Sequence, residues 1–115
     1  MELWINCIYV HKSEEGKWAA TLIWDSIQKV ESRKEQGYVR GDFKGEIQTQ
    51  YFEDTLTKAV DMVLEVAKYM NITEEVISKP KIYYTEDDEL LSNFPCSDDD
   101  KREIEQENIK RGWIR

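Results

Sequence analysis

Residues 54–70 read DTLTKAVDMVLEVAKYM. Leu56, Val60, Val63, Leu64 and Ala67 fall at i, i+4, i+7, i+8 and i+11, one stripe of an α-helix. Ala59, Met62, Val66 and Met70 widen that stripe, so the spacing predicts a helix that is substantially buried and lies on a sheet. Asp54 suits the N-cap. Asn71 suits a left-handed stop, with Ile72 as the hydrophobic contact that follows it.

The sequence before this helix supplies the sheet. In LWINCIYVH, residues 3–11, Leu3, Ile5, Cys7 and Tyr9 alternate with Trp4, Asn6, Ile8 and Val10, and both faces are largely apolar. That pattern predicts a central strand covered on both sides. KSEEGK is a turn, with Gly16 placed for a positive φ. KWAATLIWD, residues 17–25, is the returning strand, with Trp18, Ala20, Leu22 and Trp24 on one face. A third strand is expected around Ile27 and Val30. Gly37, Gly41 and Gly45 then mark a loop or long hairpin tip, with a strand option at Tyr38–Phe43, and EIQTQYF, residues 46–52, is a further strand. After the helix, TEEVISKP suits a short helical turn before Pro80, and KIYYT, residues 81–85, a strand. Ser97 caps a last helix with three aspartates in its first turn and Lys110-Arg111 in its last, a charge order that complements the helix dipole. Gly112 ends it, and Trp113 and Ile114 anchor it. The expected fold is a single α+β domain over residues 1–115. It has a mostly antiparallel sheet packed by one long buried helix, then a strand and a C-terminal helix, in the order β-β-(β)-β-α-β-α.

Charge is segregated along the chain. Residues 86–107 hold ten acids and two bases, which accounts for the whole formal net charge of −8; the remaining residues hold fourteen of each. Such a field repels nucleic acid and attracts basic surfaces. No apolar run reaches the roughly 20 residues needed to span a bilayer, and the N-terminus lacks the n-region and h-region of a signal peptide. A cytoplasmic location is the expectation, and Cys7 and Cys96 are expected to be free thiols there.

The order of strands, helix and strand, with TKAVDMVLEVAKYMNI followed by KIYYTEDDELL, resembles the middle of a ribonuclease H-like domain over roughly residues 3–91. That resemblance implies acids on the first strand, early on the first helix and at the end of the fourth strand, which together hold two magnesium ions. Asp87 or Asp88 matches the last of these. The first strand has no acid between Leu3 and His11, and the helix position falls at Leu56, with Glu53 and Asp54 nearby. One ligand of three does not support two-metal chemistry, so the resemblance implies a fold without the activity. A three-stranded sheet followed by QYFEDTLTKAVDMVLEVAKYM is also similar to the small α+β antitoxins of the HicB type, although the short link with Pro and Gly between sheet and helix is missing.

Other chemistry lacks its residues. His11 is the only histidine, no Gly-x-Ser-x-Gly elbow occurs, and Gly37, Gly41 and Gly45 lack the Lys-Ser/Thr ending of a phosphate loop. No Cys/His set has zinc spacing. Arg40-Gly-Asp42 spells an adhesion tripeptide and Asn71-Ile-Thr73 a glycosylation acceptor; both are read as chance matches. No catalytic residue, metal site or cofactor is expected. The expected function is non-enzymatic protein binding, such as inhibition of a basic partner. The face would be Glu86, Asp87, Asp88, Glu89, Asp98, Asp99, Asp100, Glu103 and Glu107, with Trp113 as an apolar anchor. Neither nucleic acid nor membrane is expected as a partner. A structural or oligomeric accessory protein is the third reading, and it requires an exposed apolar patch.

Overall fold

The computed structural model describes residues 2–31, 36–74, 79–85 and 97–114. Three long strands form an antiparallel meander: β1 (Glu2–Lys12), β2 (Trp18–Glu31) and β3 (Gln36–Gln48). Helix α1 (Leu56–Tyr69) follows, then two short strands, β4 (Ile72–Glu74) and β5 (Ile82–Tyr84), and helix α2 (Asp98–Lys110). Both short strands pair with β1 in parallel, β4 along Leu3–Ile5 and β5 along Ile8–Val10. The fold is α+β, with a mixed five-stranded sheet of order β3-β2-β1-β4 and β5 beside β4 on the same edge of β1. Among the described residues, no helix is long and apolar enough to cross a membrane.

Several local signals act as the residue types demand. Gly16 and Gly112 have positive φ, and Asn71 is left-handed at φ 60° where α1 stops. The N-cap of α1 is Thr55, one residue after the expected Asp54, and its hydroxyl accepts from the Lys58 N–H. The chain from Trp18 to Gln48 is simpler than the alternation suggests. The expected third strand near Ile27 continues β2, and the segments at 38–43 and 46–48 are one strand. Tyr51 and Phe52 lie beyond its end and are exposed. The helical turn expected before Pro80 is replaced at its start by β4, and residues 75–78 lie outside the described residues.

The faces of β1 differ from simple alternation. The register of β1 on β2 shifts between Ile5 and Cys7, so Ile5 stands opposite Trp24 but Cys7 opposite Ile23. A bulge adds one residue and flips every side chain beyond it. Leu3 and Ile5 therefore share the helix-covered face with Ile8 and Val10, whereas Trp4, Cys7 and Tyr9 share the other. Trp4 is buried on that second face, away from α1. Tyr9 pairs there with Tyr83, their ring centroids 5.9 Å apart.

The core lies between the sheet and both helices. Ile5, Ile8, Val10, Trp18, Ala20, Leu22 and Ile47 meet Leu56, Ala59, Val60, Val63 and Ala67 of α1, and Ile104 and Trp113 close it from the α2 side. Trp24 is half-buried beside this cluster, and its ring lies on Gly45; a Cβ at that position would stand 2.5 Å from the indole. Gly45→Ala is expected to cost about 1–3 kcal/mol by overpacking, read as a lower urea midpoint with an unchanged m-value. A substitution there that leaves the midpoint unmoved contradicts this packing.

Candidate functional site

Helix α2 begins at a capping box. Ser97 Oγ accepts from the Asp100 N–H at 3.1 Å, and the Asp100 carboxylate accepts from the Ser97 N–H at 3.4 Å. Its inward stripe is polar. Asp100, Ile104, Glu107, Asn108 and Arg111 fall at i, i+4, i+7, i+8 and i+11, the spacing that in α1 is apolar, and each of the polar members is tied to the body.

Lys12, beyond Val10 on β1, donates to Asp100 at 2.9 Å. Thr57 Oγ1 and Arg111 Nε each donate to Glu107 at 2.8 Å, and Arg111 also donates to Asp61 of α1 at 2.8 Å. Asn108 forms two bonds to one residue of β5: Oδ1 accepts from the Ile82 N–H at 2.8 Å, and Nδ2 donates to the Ile82 carbonyl at 3.1 Å. The amide thus occupies the outer edge of β5 as one residue of an added strand would. Trp113 Nε1 donates to Glu74 at 3.1 Å, with the Arg111 guanidinium 5.6 Å from the indole centroid.

These contacts divide the expected acidic face. Asp100 and Glu107 turn inward, at 8% and 7% exposure, and Trp113 packs in the core at 7%. Their charge and apolar surface are spent inside the protein, which removes them from any docking face. Asp98, Asp99 and Glu103 are exposed, as is Glu105, but Lys101, Arg102 and Lys110 stand among them on the same solvent side. Arg102 lies 3.6 Å from Asp99. Glu86, Asp87, Asp88 and Glu89 lie outside the described residues, as does Cys96.

The Lys12–Asp100 pair sets a pH dependence. Burial pushes the Asp100 carboxyl up, but the hydrogen bonds from Lys12 and Ser97 and the Lys12 charge outweigh it and hold the group below the usual carboxylate range. The Lys12 ammonium is raised, first by its hydrogen bond to Asp100. A depressed carboxyl stabilises the fold above its unfolded pKa of about 3.9 and loses that contribution as pH falls through the folded value. A raised ammonium is fully effective below about 10.4 and loses its contribution as pH rises through the folded value. Asp100→Asn is therefore expected to flatten the stability–pH curve below about pH 4, measured by urea denaturation; an acid limb identical to the wild type contradicts the pairing.

A second surface was not expected. Met62, Val66 and Met70, assigned to the buried stripe of α1 from sequence, are 40%, 42% and 45% exposed, and Tyr69 is 91% exposed. The sheet is covered by the arc from Leu56 to Ala67, and the apolar arc beyond it remains in solvent. At about 100° per residue these four side chains lie on the flank of α1 opposite Thr57 and Asp61. Sequence spacing identifies the width of the apolar arc but not which part meets the sheet, so the exposed half carries no separate signal.

Catalytic features are sparse among the described residues. No group of three His, Cys, Asp or Glu side chains converges as a metal site. Leu56, at the helix position of the ribonuclease H-like pattern, is fully buried, and Asp54 is exposed near Lys17. Burial pushes the Cys7 thiol up, against a hydrogen bond with Tyr9 that lowers it, and a buried, protonated thiol is a poor nucleophile. Compared with known protein families, curated proteins and solved structures, the chain matches none.

Proposed function

We propose that this chain is a non-enzymatic protein-interaction module whose working surface is the outer stripe of α1. The observation that carries the reading is the exposure of Met62, Val66, Tyr69 and Met70 side by side on one helix flank. Single exposed apolar residues need no explanation, but a contiguous patch on a small domain is the usual mark of an interface. Methionine adapts its shape to a partner, and tyrosine supplies contact area at low entropic cost.

The pair Val66→Asp and Tyr69→Asp tests it. Both residues are exposed, so stability is expected to stay within about 0.5 kcal/mol of the wild type. In native extracts of its source, the wild-type chain is expected to migrate as a complex and the double variant as a free monomer. Equal migration of the two as monomers would remove the reading.

A basic protein partner is a second reading, supported by the exposed Asp98, Asp99 and Glu103 of α2 and by the acidic run that the sequence carries at 86–89. Its mark is an association rate that falls steeply with salt. A rate indifferent to ionic strength counts against it.

A further inference from the structure

We propose that the face of the sheet turned away from the helices carries a docking row for an arginine-containing segment of a basic protein partner. The inference rests on the basic-partner reading, gives that reading its site, and is independent of the α1 stripe.

Four rings make the row. Tyr83 of β5 and Tyr9 of β1 are paired in register, with ring centroids 5.9 Å apart and a tilt of 37°. His11 follows two residues after Tyr9 and therefore points to the same face, about 7 Å farther along the strand. The ring of Phe52 meets His11 edge-on at 5.4 Å. Local pairing explains that contact. His11 stands opposite Ala19, and the bridge between Trp18 and Glu53 sets Phe52 beside Ala19 on its other side. The alanine is small, so the two rings close over it, and it is buried. Thr21, also short, stands opposite Tyr9.

The α1 side chains, Ile104 and Trp113 all belong to the core on the opposite face. Tyr9, Tyr83 and Phe52 are 39%, 45% and 45% exposed, and His11 is partly exposed. A cross-strand tyrosine pair supports a sheet on its own. A contiguous row of half-exposed rings on a small domain marks an interaction site.

Charge selects the occupant. Aromatic rings present a negative face to cations, and this chain's own Lys81 ammonium lies 6.0 Å from the Tyr83 centroid. Exposed carboxylates flank the row. Glu14 and Glu15 stand in the turn after β1, and Glu46, opposite Ile23, lies on the same face beside the tyrosine end. Lys17, the cation of that turn, lies 3.9 Å from Asp54. The net charge of −8 adds a long-range field of the same sign. Such a surface repels the phosphates of nucleic acid, whose bases would otherwise stack on the same rings. Arginine fits because its planar guanidinium stacks on a ring while its N–H groups donate to a carboxylate. Lysine offers the charge without the plane.

Fluorescence anisotropy on the full chain tests the row. The probes are a labelled arginine–glycine repeat peptide, its lysine–glycine counterpart and a single-stranded oligothymidine. The arginine peptide is expected to bind, more weakly as salt rises, and tighter than the lysine peptide. Tyr83→Ser and Phe52→Ser are each expected to weaken it about two- to fivefold, the worth of one exposed cation–π contact. Lys81→Ala is expected to tighten it, because the Tyr83 face loses its resident cation; a merely structural ring pair gives no such gain. The pair Val66→Asp and Tyr69→Asp is expected to leave it unchanged, which separates this site from the α1 stripe. Salt-sensitive binding that ignores both ring substitutions keeps the basic-partner reading and overturns the row. An arginine peptide that does not bind at low salt, or binds no tighter than the lysine peptide or the oligothymidine, overturns the choice of occupant. Should a ring variant unfold, amide NMR shifts of the wild type give a second readout. Shifts at residues 9–11 and 82–84 are expected on adding the arginine peptide; shifts confined to α1 or α2 overturn the proposal.

Discussion

Arg111→Leu is expected to destabilise the fold by about 3 kcal/mol, the lower end of the cost of leaving a buried charge without its partner. Arg111 joins Glu107 and Asp61 at 2.8 Å each, and Glu107 is almost fully enclosed. Removing the guanidinium leaves the Glu107 carboxylate with the Thr57 hydroxyl alone. The loss should be recovered in part by Glu107→Gln in the same chain, because an amide in that place has no charge to strand. A chemical-denaturation series over the wild type, both single variants and the double variant measures the coupling. If Arg111→Leu alone costs less than about 1 kcal/mol, the pair is no more than a surface ion pair and α2 is held by Ile104 and Trp113.

Asn108→Ala is expected to cost a similar amount for a different reason. The Ile82 N–H and carbonyl both end on the Asn108 amide, and all three groups are buried. Each buried backbone group left without a partner costs about 1–3 kcal/mol. The effect has a location as well as a size. Hydrogen exchange should rise at Ile82 and its neighbours in β5 and in α2, with β2 and β3 unchanged. Global exchange rising uniformly would mean that Asn108 does not act on the β5 edge.

These two side chains show where sequence reading stops. The caps of α2, the turn glycines, the left-handed Asn71 and the α+β class are all legible, because each depends on one residue type in one local geometry. The inner stripe of α2 has the right spacing but the wrong chemistry. Asp100, Glu107, Asn108 and Arg111 occupy positions at which apolar residues normally announce burial, so the helix reads as a solvated acidic face. The bulge at Asn6 is hidden because both faces of β1 are apolar, so nothing in the alternation marks the point where the faces exchange. The outer flank of α1 is hidden for the opposite reason: Met62, Val66 and Met70 look like core until the sheet is in place and covers only half of the arc.

The acidic window changes meaning with this geometry. Two of its carboxylates neutralise Lys12 and Arg111 inside the fold, and the exposed ones on α2 are interleaved with cations. The surface that α2 leaves open lies instead on the far flank of α1. Arg111 and Asn108 fix α2 on the β5 side, which leaves that flank uncovered.

The most direct test of α1 as the working surface is a methionine oxidation footprint. Met62 and Met70 lie in the stripe, half-exposed in the isolated fold, and peroxide converts accessible methionine to the sulfoxide. Their oxidation rates are compared in intact source cells and in dilute purified chain. Protection of both residues in cells, lost when Tyr69→Asp is introduced, is the predicted result; equal oxidation in cells and in dilute solution would contradict it.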